Sequence, residues 1–232
     1  MSYAAYKSRM AAHATVQDRL SFIKATYLHL SGAIFAYVLL TGALIQSSAG
    51  GQIAVMLSNN WLLSLGLFIG GGWLAQRWAF NAQSTGMQYA GLALYTVVMA
   101  IMSVPLLYVA ANYSDPSVIP TAGLLTATVF GGLTLTVFTT KKDFSFLGQA
   151  LKLAMFAALG LIVCSLIFGF TLGTVFAAAM VVLFAGYTLY YTSQVLHQFP
   201  IGAHVPAALV LFSTVAMLFL YILQLVMSAS RD

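Results

Sequence analysis

The chain has 232 residues, of which 61% are hydrophobic and only 6% charged, and its mean hydropathy is +0.95. A soluble domain carries about 25% charged residues, so this chain cannot cover a water-facing surface and reads as an all-α polytopic membrane protein. Its net charge of +5 reflects a shortage of acids: there is no glutamate, and the aspartates are Asp18, Asp115, Asp143 and Asp232. That balance points to membrane orientation and contact with anionic lipid, and it excludes a nucleic-acid binder. With Cys164 as the single cysteine, no disulfide forms within the chain. The first 25 or so residues lack an apolar run ending in a cleavage site, so no signal peptide is expected.

Taken in order, residues 1–24 read as a basic cytoplasmic arm carrying Lys7, Arg9, Arg19 and Lys24, with Thr15 or Asp18 able to start a short interfacial helix. Residues 25–232 read as a seven-helix transmembrane domain. Ala25 to Ile45 is long enough to cross a hydrocarbon core of ~30 Å. Gln46 to Asn60 is a polar connection whose inner part, Ile53 to Leu57, can dip into the interface. Trp61 to Trp78 is a short second span ended by Arg77. Gly66 and Gly70 share one of its faces, a spacing that favours close packing within the bundle over dimerisation. Met87 to Ala110 is the third span, with Pro105 in its last turns, and Val118 to Phe138 is the fourth. The loop Thr139-Thr-Lys-Lys-Asp-Phe-Ser-Phe-Leu-Gly148 is too charged to stay in hydrocarbon. Phe146 to Phe168 forms the fifth span, with Lys152 snorkelling near its start. Thr174 to Tyr191 and Val205 to Met227 form the sixth and seventh, joined by a loop containing His197, Pro200 and His204.

The charges support this count. With seven spans, Lys7, Arg9, Arg19, Lys24, Arg77, Lys141, Lys142 and Lys152 all fall on one side, and of the nine basic residues only Arg231 lies opposite. The positive-inside rule then places the N-terminus in the cytoplasm and the C-terminus outside.

Little chemistry is on offer in the spans. None holds an acid in its interior, so a crossing cation would meet only hydroxyls, amides and carbonyls. Tyr187, Tyr190, Tyr191 and Gln194 form one stripe on the sixth span; Thr214, Met217, Tyr221 and Gln224 share a face of the seventh. Either these stripes meet in a polar seam, or they make helix–helix hydrogen bonds and an interfacial tyrosine belt. His29 reads as an interfacial histidine, and Cys164 as a packed small side chain. His197 and His204 lack the third ligand of a metal site. No phosphate loop, nucleophile triad or zinc motif is present, so no cofactor, bound metal or catalytic residue is expected.

The 139–148 loop resembles the connection between the fourth and fifth spans of the Bax inhibitor-1 family, which has bacterial members. Tyr95-Thr96 and Pro105 are similar to that family's third span, Gly186 to Gln194 to the end of its sixth, and Leu218-Phe219-Leu220 to its seventh. The likeness covers most of the chain from about Tyr27 and implies seven spans with a cytoplasmic N-terminus. Family members are associated with a pH-sensitive calcium leak attributed to one aspartate in each of the last two spans. The resemblance implies that Tyr191 and Thr214 occupy those positions here. It also implies that Met217 and Gln224 replace a following asparagine and arginine, and that Arg77 has lost an acidic partner. Tyrosine and threonine cannot share a proton near neutral pH as paired carboxylates do.

Three readings of function follow. The favoured one is a non-enzymatic protein of the bacterial inner membrane that binds or regulates other membrane proteins, such as a membrane protease complex. The second is a pH-insensitive ion leak through a seam at Tyr191 and Thr214, with Tyr187, Gln194, Gln224 and Arg77 along it. The third is a structural subunit of a larger assembly. None of them specifies an oligomeric state.

Overall fold

A computed structural model of the chain describes residues 10–11, 14–81, 83–140 and 142–230. Lys7, Arg9, Lys141, Arg231 and Asp232 lie outside the described residues. The described chain is all-α, with one isolated bridge between Met10 and Pro200. We number the helices α1 (Val16–Gln46), α2 (Gly50–Asn59), α3 (Trp61–Ala79), α4 (Thr85–Tyr113), α5 (Val118–Thr140), α6 (Leu147–Phe168), α7 (Gly173–His197) and α8 (His204–Ala229). Six of these, α1 and α4–α8, are long and apolar enough to cross a membrane, and the bent pair α2–α3 makes up to seven. The expected all-α integral membrane protein is therefore observed.

Helix α1 starts nine residues before the expected first span, because its N-terminus is capped. The Thr15 hydroxyl accepts from the Asp18 amide at 3.2 Å and donates to the Asp18 carboxylate at 2.7 Å. This cap satisfies one of the backbone donors that the first turn leaves free, the Asp18 amide.

The largest departure from the sequence reading lies between α1 and α3. Residues 50–59 form the helix α2 in place of the expected polar connection, and the chain turns by 98° before Trp61. The turn is held by side chains: Asn60 Nδ2 donates to the Met56 carbonyl at 2.9 Å, and the Ser64 hydroxyl to that of Leu57 at 2.7 Å. The Met56 carbonyl also accepts from the Asn60 amide at 3.1 Å; carbonyls in the last turn of a helix need such partners in a low-dielectric setting.

The chain divides into two compact units, residues 1–113 with 198–213 and residues 114–197 with 214–232. In the first, α4 packs against α1, α2 and α3. The Tyr37 and Tyr95 rings meet Phe212 edge-on, and the buried Tyr37 hydroxyl donates to Ser103 Oγ at 2.7 Å. The expected packing face of α3 is corrected by the structure. A Cβ on Gly66 or Gly70 would meet nothing within 4 Å. The face turned to α4 carries Gly71, where a Cβ would lie 2.9 Å from Val98, and Gly72, where it would lie 3.8 Å from Tyr95. A π-helical turn over Leu67–Gly71 inserts a wider turn and so rotates the face that follows it. In the second unit, α7 packs against α5 and α6. Helix α6 buries only Gly148, Leu151 and Ala158. Cys164 is consequently exposed on it, not packed as expected. Exposed Leu153, Phe156, Val163 and Ile167 make the rest of its surface suited to lipid.

Candidate functional site

Helix α7 carries the polar stripe, and the stripe is internally engaged. The buried Tyr187 hydroxyl donates to the Leu151 carbonyl of α6 at 3.1 Å. Tyr187 and Tyr191 stack with ring centroids 5.7 Å apart, and Tyr190 meets Tyr191 edge-on at 5.1 Å. Gln194 Nε2 donates to the Tyr190 hydroxyl at 2.6 Å. Gly148 makes room for this cluster: a Cβ there would lie 2.7 Å from the Tyr190 ring. Tyr187, Tyr190, Tyr191 and Gln194 thus form one group, and at Tyr187 it provides a helix–helix hydrogen bond of the kind the sequence left open.

The other face of the last two turns of α7 holds hydroxyls. Thr188, Thr192 and Ser193 are wholly buried, and Thr214 of α8 is buried as well. Thr188 returns its hydroxyl to the Phe184 carbonyl at 2.9 Å, whereas the Thr192 hydroxyl has no partner among the described residues. Further along α8, Tyr221 stacks on Phe184 at 5.8 Å, and Gln224 is exposed. Arg77, in the first unit, is exposed with its guanidinium 5.3 Å above the Trp73 ring. These spans hold no carboxylate.

The charged loop docks on the end of α7 through a residue the sequence reading passed over. Ser193 Oγ accepts from the Phe144 amide at 2.9 Å and donates to Asp143 Oδ1 at 3.1 Å. The same carboxylate oxygen accepts from the Ser145 amide at 2.9 Å and the Ser145 hydroxyl at 2.5 Å. The Ser145 hydroxyl is the chief reason that the Asp143 carboxyl is held below the usual range. Its backbone bond to Ser145, its bond to Ser193 and the nearby His197 ring add to this, against some desolvation. His197 Nδ1 is itself bonded to the Ser193 carbonyl at 2.9 Å. A serine one turn before the end of a helix is a weak signal by itself. What marks Ser193 is an Asp-x-Ser turn elsewhere in the chain that leaves one amide, that of Phe144, without a local acceptor.

The two histidines that share the α7–α8 loop have different neighbours. His204 faces His29 of α1, with ring centroids 4.8 Å apart. His29 Nε2 lies 2.9 Å from the Tyr89 hydroxyl.

A family model described as inhibitor of apoptosis-promoting Bax1 matches residues 19–231. The chain belongs to that family. The Bax inhibitor 1 of Schizosaccharomyces pombe is 27% identical over 216 residues, 89% of this chain and 76% of the yeast protein. An uncharacterized protein of Pseudomonas aeruginosa is 34% identical over 117 residues, 50% of this chain and 52% of that protein. A Golgi anti-apoptotic protein of vaccinia virus is 32% identical over 119 residues, 49% of this chain and 48% of the viral one. The match thus spans about half the length of the Pseudomonas and viral proteins.

Tyr191 is part of an aromatic stack and Thr214 is a buried hydroxyl. Neither ionises near neutral pH, and neither brings a charge that a divalent cation would require.

Proposed function

We propose that this Bax inhibitor family protein is a non-enzymatic protein of a bacterial inner membrane that acts by binding and regulating other membrane proteins. A membrane protease complex is the partner type the family resemblance favours. The observation that carries the reading is the neutral pair Tyr191 and Thr214 within spans free of carboxylates. Moving a cation through hydrocarbon requires that its hydration be replaced by oxygen ligands, preferably charged ones for calcium. Here three of the polar groups on α7 (Tyr187, Tyr190 and Gln194) are already bonded within the second unit. A scaffold kept intact around a neutral site fits recognition by surface better than conduction. The exposed apolar side chains of α5 and α6, among them Leu124, Leu135, Phe156 and Ile167, offer surface for lipid and for neighbouring helices alike.

The test has two arms. The protein is purified in mild detergent from its own membranes and examined for a stoichiometric partner. The same protein, reconstituted alone in liposomes, is assayed for calcium flux across a range of pH. Recovery of a partner without flux supports the proposal. Calcium flux that vanishes in Thr214→Val overturns it in favour of a leak through the Tyr191–Thr214 region.

A further inference from the structure

Two imidazoles and a phenol converge in the first unit from three helices far apart in sequence: His29 of α1, Tyr89 of α4 and His204 at the start of α8. We propose that they form a binding site for a borderline divalent transition metal of the zinc type. The His29 and His204 ring nitrogens would be donors, the Tyr89 oxygen a third, and water would complete the shell.

The first argument is spacing. Two imidazoles on one tetrahedral zinc, each with a Zn–N bond of about 2.0–2.1 Å, hold their ring centroids about 5 Å apart. The His29 and His204 centroids are 4.8 Å apart, with the rings tilted by 49°. The Tyr89 oxygen stands 2.9 Å from His29 Nε2. Two donors on a tetrahedral ion are separated by about 3.3 Å, so side-chain adjustments of a few tenths of an ångström admit the metal.

The second argument is how the rings are held. A histidine that binds a metal through one nitrogen almost always donates its other N–H to a carboxylate, a carbonyl or water, which fixes tautomer and orientation. His29 Nδ1 donates to the Ala25 carbonyl at 2.7 Å, and that leaves the Nε2 lone pair directed toward Tyr89. The His204 ring lies beside the backbone of Gly202. Gly202 has a φ of +96°, a backbone shape that side chains rarely adopt, so the turn that presents this backbone group depends on glycine. The His29 ring therefore has one nitrogen held by the main chain and one left for a ligand. Imidazole donors select zinc-type ions, whereas magnesium and calcium take oxygen ligands.

The third argument is placement. His29 and His204 are half-buried and Tyr89 is exposed, so the group has both an access route and a partly dehydrated floor. Clusters of three or more His, Cys, Asp or Glu are absent among the described residues. Only the tyrosine oxygen raises this pair to a three-donor set. Bound metal would tie α1, α4 and α8 together at one point.

The test uses the full-length protein in mild detergent with any polyhistidine tag removed and the sample stripped by chelator. Zinc is titrated by calorimetry, and cobalt is substituted to read the geometry from its d–d absorption. The expected result is one zinc per chain and a tetrahedral cobalt spectrum. His29→Gln and His204→Gln should each weaken zinc binding at least about a hundredfold, more than outer partners usually contribute. Tyr89→Phe should weaken it about tenfold, and His197→Gln should leave it unchanged. Absence of stoichiometric binding, an octahedral cobalt spectrum, or equal affinity in His204→Gln and wild type would overturn the proposal. The cobalt spectrum needs no variant, so it decides the matter even if a histidine replacement fails to fold.

Discussion

Gly91→Ala is the substitution that most directly tests how the first unit is held together. A Cβ on Gly91 would press on the Ala79 backbone nitrogen, and it would lie 2.5 Å from the Ala75 carbonyl oxygen and 2.8 Å from Ala79 Cα. Ordinary contact begins at 3.4 Å, so α3 and α4 must separate by at least 0.9 Å at this crossing (3.4 − 2.5). The obstacle is backbone, which cannot rotate aside as a flexible side chain would. A gap of 0.5–1 Å costs roughly a quarter to a half of each affected dispersion contact, and the neighbours are tightly packed: Ala75, Ala79, Tyr95, Val98 and Met99 are all buried. Because dispersion is the main attraction between helices in lipid, the cost is set by this geometry. We expect a loss of about 2–4 kcal/mol, at the upper end of overpacking penalties, after a gain of about 0.5–1 kcal/mol from replacing a helical glycine. For a chain of this length that lowers the thermal midpoint by roughly 5–15 °C. Gly131→Ala is the control, since its Cβ would meet nothing within 4 Å; it should be neutral or slightly stabilising. The assay is the fraction of detergent-solubilised protein surviving a heating series on a sizing column. Gly91→Ala and Gly131→Ala melting within a degree or two of each other would refute the close α3–α4 crossing.

Four further outcomes are expected. Ser193→Ala removes both the acceptor of the Phe144 amide and a donor to Asp143; at about 1–2 kcal/mol the loop should open about fivefold to thirtyfold more often, read as faster tryptic cleavage at Lys142. Asp143 has its folded-state pKa lowered, first by the Ser145 hydroxyl, so its contribution is complete at neutral pH and is lost as pH falls below about 4. Asp143→Asn should therefore melt below wild type at pH 7, with the two converging as pH falls below the usual carboxylate range; a constant difference from neutral pH downward would contradict the assignment. Tyr37→Phe deletes the buried bond to Ser103, which keeps its own bond to the Met99 carbonyl, so the loss should be about 1 kcal/mol in the same heating assay. Placing aspartates at both Tyr191 and Thr214 should confer a pH-dependent calcium flux on liposomes; a silent double variant would mean that the two positions are not enough to make a conduction site.

Much of this architecture was legible in the sequence because hydrocarbon imposes a length and forbids charge. The helices α4, α5, α6 and α8 begin and end within about three residues of the apolar runs that announced them. What failed was local. Gly50–Asn59 is apolar but too short to cross, and its polar flanks read as a connection; the Asn60 and Ser64 side-chain bonds that let a helix form and turn there leave no periodic trace. Gly66 and Gly70 have the expected spacing on a regular helix, but a π-turn alters which glycine faces the neighbour. Cys164 was misjudged because a mid-span position was equated with burial, whereas α6 shows most of its surface outward. At the candidate site, the tyrosine stripe was readable from its spacing. The pairing of Ser193 with the charged loop spans 49 and 50 residues, and sequence gives no measure of that distance.

The polar groups of α7 satisfy one another or a neighbouring backbone group, as Tyr190 and Gln194 do at 2.6 Å and Tyr187 does with the Leu151 carbonyl. Such a core holds no carboxylate, so its packing should hold from mildly acid to neutral pH while the exposed Asp143 loop, whose carboxylate titrates, changes below it. The Asp143 carboxylate titrates in a water-facing loop, outside the spans. The Thr192 hydroxyl is buried without a partner among the described residues; Thr192→Val should therefore raise stability by removing an uncompensated polar group, whereas a conducting seam would need that hydroxyl.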